Sequence, residues 1–596
     1  MASAPTTETS VSSPSDHKDR LRLGELASTA IAGNDILSSC LYVCGIAALF
    51  AGVWAPLIFV AIAGVLYLYK HVYTEVVEAL PLNGGAYNCL LNATSKTLAA
   101  VAGIMTTLSY VATSVISAKT ASAYLHAILP GLPVIPMTAG IIIFFAILVI
   151  AGVRDSARLA KLIFLFHIFV LTILISTGVM FIINTGWGWL PASFTTTQKL
   201  FADNGAVKML FLAFAASLLG VSGFESSANF VEEQRPGVFR KTLRNMLLGV
   251  LLFNPLITIV VLQALPLTTI WGAKDFLLAE TAYALGGNAL KYLVVTDAFL
   301  VLSGAVLASF VGAAGLLYRM TLDHCLPTTI FLPHLRRRNQ NANRLIIGFA
   351  VLCLSILALT GGSLLSLAGV YTISFLGVMT AFAIGNMILR ETRPDLRRPY
   401  QGPLAYVVLA ATATTVGIIG NILIDPRNIL FFSIYFFPAL FLVMGMIYRD
   451  YILEALLHFT NRFPWLQSQI HQWLEHVIRP RILLFAHHPH KLYRSLEYIR
   501  RNETSRRITV IYCREDGDDN HTLMKEFKEY IDVFKRAQVF KNLELSFEVA
   551  DEAFGPDLVQ AYAQRFHLHR NYIFIGTIHD SHSFSFEELG GVRIIQ

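Results

Sequence analysis

Charge is the scarcest property of this chain. Only 14% of its 596 residues are Asp, Glu, Lys or Arg, against 55% hydrophobic. Soluble globular chains carry roughly 25% charged residues. A mean hydropathy of +0.58 leaves too much apolar surface to hide from water, which excludes a soluble enzyme and a disordered protein. Cysteine is also sparse. The six residues Cys40, Cys44, Cys89, Cys325, Cys353 and Cys513 are scattered, so a disulfide scaffold is excluded and all six read as free thiols. Cys40 and Cys44 share a helix face, but no second pair completes a metal site. A secretory leader is not recognisable either: residues 1–22 are polar and rich in Ser, Thr and Pro, the pattern of a disordered tail.

What remains is a series of long apolar runs. A bilayer core of about 30 Å takes about 20 apolar residues as a helix. About twelve such segments are predicted, near 26–50, 54–79, 97–127, 134–152, 159–183, 207–231, 241–266, 290–318, 343–361, 364–389, 404–424 and 428–448. The 40 glycines and 40 phenylalanines suit packed membrane helices. The net charge of +7 does not point to nucleic acid, because the basic residues sit in alternate loops. Arg20 and Arg22 precede the first segment. Arg154, Arg158 and Lys161 lie between the fourth and fifth, and Arg235, Arg240, Lys241 and Arg244 follow the sixth. Arg336, Arg337 and Arg338 follow the eighth, and Arg393, Arg397 and Arg398 the tenth. The positive-inside rule then places both termini in the cytoplasm.

Four regions follow: a tail over 1–25, a membrane domain over 26–450, amphipathic interfacial helices over 451–480, and a cytoplasmic α/β domain over 481–596. In the third region Trp465 and Trp473 resemble interface anchors around Pro464. In the fourth, strands over RILLFA, RITVIYC, LELSFEV and YIFIGT alternate with helices, which predicts a small parallel sheet. The fold class is therefore an all-α polytopic membrane protein with a small cytoplasmic α/β C-terminal domain.

Two spans carry glycine and serine where a helix prefers neither. The first reads AIAGNDILSSCLYVCG and the sixth FAASLLGVSGFESSANF. Unwound segments at corresponding positions of two halves build the midplane site of broken-helix transporters, and irregular backbone at that depth is tolerated only beside a cavity. Asp35 and Glu225 fall in these breaks. An acidic group at mid-helix costs about 2.5–3.5 kcal/mol on insertion scales, so it requires a partner or a function.

These spans are part of a wider pattern. EVVEALPLNGGAYN after the second span, GVRDSARLAKLIFLFH at the start of the fifth, GFESSANFVEEQRP in the sixth and YRMTLDHCLP closing the eighth resemble the amino acid-polyamine-organocation (APC) superfamily. The resemblance covers about residues 25–450. It implies a LeuT-type inverted repeat of five spans plus two further spans, and a secondary transporter working by alternating access, with amino acids or related amines as the commonest cargo. The stretch Asp35-Ile-Leu-Ser-Ser-Cys-Leu-Tyr42 resembles the first span of Kup/Kim-type potassium–proton symporters, while Leu37-Ser38-Ser39 stands where amino acid carriers have a Gly-Ser-Gly break. That second resemblance implies a cation path through Asp35, Tyr42, Glu225 and Tyr371, with Thr113 and Ser222 beside it and Ser109 in place of an aspartate. Exposed carbonyls from Ala32 to Ser39 and from Gly220 to Glu225, with Ser38, Ser39, Gly220 and Gly223 among them, complete the implied substrate or cation site.

His167 lies where the matched fifth-span pattern often has a lysine that replaces sodium in proton-coupled relatives. A histidine titrates near pH ~6.5 when unperturbed, so Asp35, Glu225 and His167 are the candidates for carrying a coupling proton. Ser303 and Ser309 of the eighth span offer no adjacent hydroxyl pair of the kind a sodium site uses, which favours protons. Asp297 and Lys119 are ionisable groups at membrane depth outside this set, with Lys119 expected to snorkel to an interface.

His487, His488, His490, His579, Asp580 and His582 fit no metal-ligand spacing. The small domain resembles a universal-stress or flavodoxin-like fold, which implies a nucleotide-type ligand, although its loops lack a phosphate-binding glycine motif. The expected partners are thus a small-molecule or cation substrate, the lipid bilayer of the plasma membrane and that ligand. No cofactor, resident metal, nucleic acid or enzymatic activity is expected, and the oligomeric state is left open. Two alternatives stand beside amino acid or amine transport: potassium–proton symport, and a transporter-like sensor with the C-terminal domain as its output.

Overall fold

The computed structural model describes residues 22–152, 157–327, 343–394, 396–459, 481–486, 489–503, 505–513, 520–536, 540, 543–566, 568, 570–575, 589 and 592–595. Residues 1–21 of the predicted tail, Arg154, Arg336 to Arg338, Trp465, Trp473, His487, His488, His579, Asp580 and His582 lie outside the described residues. The chain divides into two compact units, Gly24–Tyr448 and Arg449–Gln596, the latter together with Met1–Leu23.

The first unit is helical. Among its described residues ten helical stretches are long and apolar enough to cross a membrane, and one of them, Glu25–Ala79, turns back at a short 3-10 segment over Gly52–Trp54. With the shorter apolar helix Val134–Ile150 this makes twelve apolar segments, as the sequence predicts. The first span is Glu25–Ser38 and Cys40–Ala51, and the second Ala55–Ala79. A short helix, Gly85–Ala93, precedes the third span, Lys96–Ile128. The fifth span is Ala157–Thr185, and the sixth begins with Ala206–Ser217. The seventh is Val238–Ala264, and the eighth lies in Leu277–Leu322, which bends at Gly286 and Gly287. The remaining four are Asn343–Thr360, Leu364–Thr392, Leu404–Ile424 and Arg427–Ile447.

The third span forms the centre. It is lined with Ala, Ser, Thr and Gly, and it packs against the eighth and tenth spans. Small side chains let helix backbones approach closely where no water drives them together. The outer spans carry exposed Leu, Ile and Phe, among them Leu162, Ile183, Leu423 and Phe441, the surface a bilayer requires.

One end of the bundle is laced by ion pairs and hydrogen bonds. Glu25 accepts hydrogen bonds from Arg244 (3.2 Å) and Asn245 (3.0 Å), and Glu78 accepts two from Arg240 (3.1 and 2.9 Å). Glu75, almost wholly buried, receives the Arg390 guanidinium and the Gly402 N–H (3.1 Å). Asn83 and Glu232 exchange backbone and side-chain bonds at 3.0 Å each, and the Tyr87 hydroxyl donates to Asp323 at 2.8 Å. The starts of spans one and seven and the ends of two, six, eight and ten are joined there. Lys119 does not snorkel: it is 4% exposed and pairs with Asp275 at 2.6 Å. The desolvated ammonium is held by a carboxylate rather than by the interface.

In the second unit the predicted strands form one parallel sheet. They are β1 (Ile482–Phe485), β2 (Arg507–Cys513), β3 (Glu544–Ala550) and β4 (Ile573–Ile575), joined by an unforeseen two-residue β5 (Arg593–Ile594). The order is β3-β2-β1-β4-β5. Ile482 and Leu484 pack on one face with Leu492, Leu496, Phe527 and Ile531. Leu483 and Phe485 pack on the other with Leu558 and Val559. The period of two puts alternate residues into two separate apolar layers, so the sheet is covered on both sides. The chain reverses direction of travel between β1 and β4, the topological switch point of such sheets.

Candidate functional site

The site forms where the first and sixth spans meet. The sixth span truly opens. Its helix ends at Ser217 and continues as a 3-10 turn over Leu218–Val221. Ser222 is then extended (ψ 143°), and Gly223 takes φ +90°. A second 3-10 segment, Glu225–Asn229, follows. Gly223 is required twice over. Its backbone is left-handed, and a Cβ there would lie 2.8 Å from Cγ and Oδ2 of Asp35 and 2.9 Å from the Ile36 nitrogen. The absence of a side chain is what lets Asp35 rest on the open turn.

The first span is interrupted far less than expected. Only Ser39 separates its two helical halves, and that residue keeps helical dihedrals (φ −61°, ψ −28°). The Ser38 hydroxyl donates to the Asp35 carbonyl at 2.8 Å. The Ser39 hydroxyl is shared between the Ile36 carbonyl (2.6 Å) and the Gly220 carbonyl of the sixth span (3.2 Å). The Ser39 N–H points back to Ile36 at 3.4 Å. These hydrogens are thus committed to backbone carbonyls, and the expected run of exposed backbone from Ala32 to Ser39 is reduced to a local kink.

Glu225 stands two residues past Gly223, with the backbone N–H groups of Gly223 and Glu225 against its carboxylate. Its Oε2 is enclosed and has no hydrogen-bond partner in the protein. The charged group acting on it is a second carboxylate, Asp35. Among the described residues no Lys or Arg forms an ion pair with Glu225.

Tyrosine hydroxyls surround the two acids. Tyr42 (3% exposed) lies within electrostatic range of Asp35, and Tyr371 (1% exposed) within range of both. The Ser222 hydroxyl sits near both phenols without closing a well-formed bond to either. The structure adds two tyrosines that the sequence reading did not single out. Tyr110 of the third span accepts a 2.6 Å bond from Asn229 and faces Glu225 and Asp35. Its ring is seated on Gly312, where a Cβ would come within 2.8 Å of it. Tyr73 of the second span stacks on Phe382 (4.2 Å), meets Phe224 edge-on (5.9 Å) and faces Glu225 with an unpartnered hydroxyl. The signal for Tyr110 was present: it begins the Tyr-x-x-Thr run that ends at Thr113, three residues on and so on the same helix face. Thr113 itself donates to Ser109 at 2.9 Å.

His167 belongs to a different place. It pairs with Asp297 of the eighth span at 2.7 Å rather than with Asp35 or Glu225. No group of three or more His, Cys, Asp or Glu able to hold a metal ion occurs among the described residues.

Two carboxylates against an open turn, ringed by hydroxyls, can bind a cation. A cation satisfies both acids at once, and the phenol oxygens supply neutral ligands that discriminate by size rather than by charge.

Solved structures similar to this chain include mutant forms of a manganese transporter from Eremococcus coleocola. One is 13% identical, with a TM-score of 0.46, and covers 74% of this chain and 95% of that one. A second is 12% identical, with a TM-score of 0.46 and coverage of 75% and 95%. No curated protein matches. A family model described as "Amino acid permease" matches residues 23–451. With its twelve apolar segments and broken sixth span, the chain belongs to the amino acid permease family, an APC-superfamily group of secondary transporters with the LeuT-type fold.

Proposed function

We propose that this transporter is proton-coupled and carries a small molecule bound through a positive charge, an amine or amino acid ammonium group, across the plasma membrane by alternating access. The observation that supports this reading is that Asp35 rests against Gly223 of the open turn while Glu225, two residues further along that turn, lies within its electrostatic range. Two carboxylates this near repel one another when both are ionised. One of them therefore takes a proton while the other anchors the cation, so that proton and cargo are carried in the same direction. Tyr42, Ser222 and Tyr371 line the same place from the first, sixth and tenth spans, and Ser38, Ser39, Gly220 and Thr113 hold the backbone that carries it.

The far end of the cargo is not matched in the same way. The first span has no glycine break, and the Ser39 N–H is already bonded within the helix. An amine or a bare cation therefore suits the site better than a zwitterion whose carboxylate needs free N–H groups. The ring of hydroxyls specifically favours a second reading, potassium–proton symport. The small domain is read as a regulator, with a nucleotide-type ligand at the switch point between β1 and β4.

The test is tracer uptake into proteoliposomes under an inward proton gradient, offering rubidium, methylamine and a mixture of amino acids separately. Asp35→Asn and Glu225→Gln should each abolish uptake of whichever cargo is carried. Accumulation of amino acids alone, unaffected by Asp35→Asn, would overturn the cation-anchored site. Truncation after Asp450 should leave flux and alter its control. Absence of flux for every cargo would favour a sensor.

A further inference from the structure

A cluster of rings and cations stands where the second, seventh and eleventh spans reach one membrane boundary, away from the cargo site. Tyr67, Lys70 and His71 share one face of the second span by their helical spacing. Tyr400 belongs to the connection after the tenth span, Tyr406 to the first turn of the eleventh and Arg240 to the first turn of the seventh. His71 is the hub. Tyr67 meets it edge-on at 4.8 Å, Tyr406 lies tilted at 5.2 Å and Tyr400 stacks at 5.7 Å, with Tyr67 and Tyr406 themselves 6.1 Å apart. The loop that bears Tyr400 is pinned. The Gly402 N–H donates to the buried Glu75 at 3.1 Å, and the Gly402 carbonyl accepts from Arg390 at 2.8 Å.

Polar groups are left over in this cluster. His71 Nδ1 is hydrogen-bonded to the Tyr400 hydroxyl, but Nε2 is enclosed and has no partner in the protein. Buried nitrogens ordinarily find one. Arg240 lies over the Tyr400 ring at 5.0 Å and gives its Nε and Nη2 edge to Glu78, leaving Nη1 outside that pair. Lys70 stands 5.8 Å from the Tyr67 ring, and no carboxylate among the described residues pairs with it. Both cations are within electrostatic range of His71. Glu75, which is nearby, is already matched by Arg390 and Arg398. Against Lys70 and Arg240 there is thus Glu78 alone among the described residues, and a net positive charge remains.

We infer that this cluster binds the phosphate headgroup of one anionic phospholipid of the surrounding bilayer. The positive-inside rule gives this end of the bundle to the cytoplasmic face. Anionic lipids of that leaflet attract basic side chains, and basic pockets between spans take their headgroups. The unesterified oxygens of a phosphodiester share a negative charge and accept hydrogen bonds from Lys70 and from Nη1 of Arg240 together. His71 supplies a further donor in one tautomer: the Tyr400 hydroxyl donates to Nδ1, and Nε2–H is turned to the ligand. Tyr67, 43% exposed, and Tyr406 cover that nitrogen, and their rings swing aside to admit the headgroup. Tyrosine is at home at this depth, with its ring in the apolar layer and its hydroxyl among headgroups. Gly64, one turn from Tyr67, is exposed, with open space where a side chain would stand, and Val60 and Val408 are exposed as well. That surface has room for an acyl chain, which distinguishes a lipid from a free phosphate. The inference does not depend on which cargo is carried.

The test uses purified full-length protein in nanodiscs, with bound lipid counted by native mass spectrometry. In phosphatidylcholine doped with phosphatidylglycerol, the parent should retain one phosphatidylglycerol per chain, and that lipid should raise its thermal midpoint. Lys70→Gln should weaken retention about fivefold, the worth of one cation at a membrane surface. His71→Phe keeps a ring between the tyrosines and removes Nε2. It should weaken retention similarly while its midpoint in phosphatidylcholine alone stays that of the parent. Arg397→Gln, at an exposed cation of the connection that bears Tyr400, should retain lipid like the parent. The inference is overturned if the parent retains phosphatidylglycerol no better than phosphatidylcholine, or if either Lys70→Gln or a folded His71→Phe retains it like the parent. An equal loss in Arg397→Gln would also overturn it, since attraction would then be diffuse. Glycerol phosphate added to the detergent-solubilised parent should leave the lipid in place, and displacement would reassign the cluster to a soluble phosphoester.

Discussion

The first and sixth spans look alike as strings of small residues, yet they are interrupted by different physics. In the first, Ser38 and Ser39 turn their hydroxyls onto the carbonyls of Asp35 and Ile36, and the backbone hardly leaves the helix. Serine competes locally for carbonyls and bends a helix without breaking it. In the sixth, Gly223 enters a left-handed conformation that a side chain would resist, and the helix comes apart. The first span is accordingly a nearly rigid post that presents Asp35. The sixth is the element with alternative backbone conformations to offer, and its loosened turn holds Glu225. A movement that opens the site should therefore begin in the sixth span.

The sharpest challenge to this contrast is Gly223→Ala. It meets Asp35 at 2.8 Å and strains a positive φ, so uptake should fall to background while the purified protein stays monodisperse. A variant with parent-like uptake would mean that the open turn is not needed. Gly220→Ala is the matched control. Its Cβ would find Val43 at 3.4 Å and Asn254 at 3.5 Å, ordinary contacts, and uptake should stay within about two- to threefold of the parent, the effect of under ~1 kcal/mol. Equal losses at 220 and 223 would show that any added bulk at this crossing is harmful. Ser39→Ala removes the hydroxyl shared between Ile36 and Gly220. It should cost about 0.5–1.5 kcal/mol, read as a small drop in thermal midpoint. A loss as large as that of Gly223→Ala would make the two spans equivalent after all. Least affected should be Thr113→Val, whose hydroxyl bonds within its own helix. Its thermal midpoint should barely change, and a selective loss of rubidium uptake would identify Thr113 as a cation ligand.

Much of this architecture could be read along the chain. Apolar runs marked the helices because a bilayer tolerates little else. Glycines at 220 and 223 marked the open turn, and alternating strands and helices marked the small parallel sheet, apart from the two-residue β5, too short to leave a pattern. Asp35 and Glu225 stood out because an acid at membrane depth is costly wherever it sits. Partnership could not be read in this way. Nothing near His167 in the sequence names Asp297, 130 positions away. Nothing near Lys119 names Asp275, and nothing near Glu225 names Tyr73 or Tyr110. The extent of the first-span kink was also hidden, since it depends on whether Ser39 bonds inward to Ile36, across to Gly220, or to both.

Composition and periodicity thus determined that this chain enters a membrane, where it crosses, and which residues are too costly there to be idle, because those are local consequences of solvation. The tertiary structure decided which of those residues face one another. Opposing charges and unpaired hydroxyls are brought together by helix packing, and packing depends on side chains hundreds of residues apart that meet only in the folded bundle.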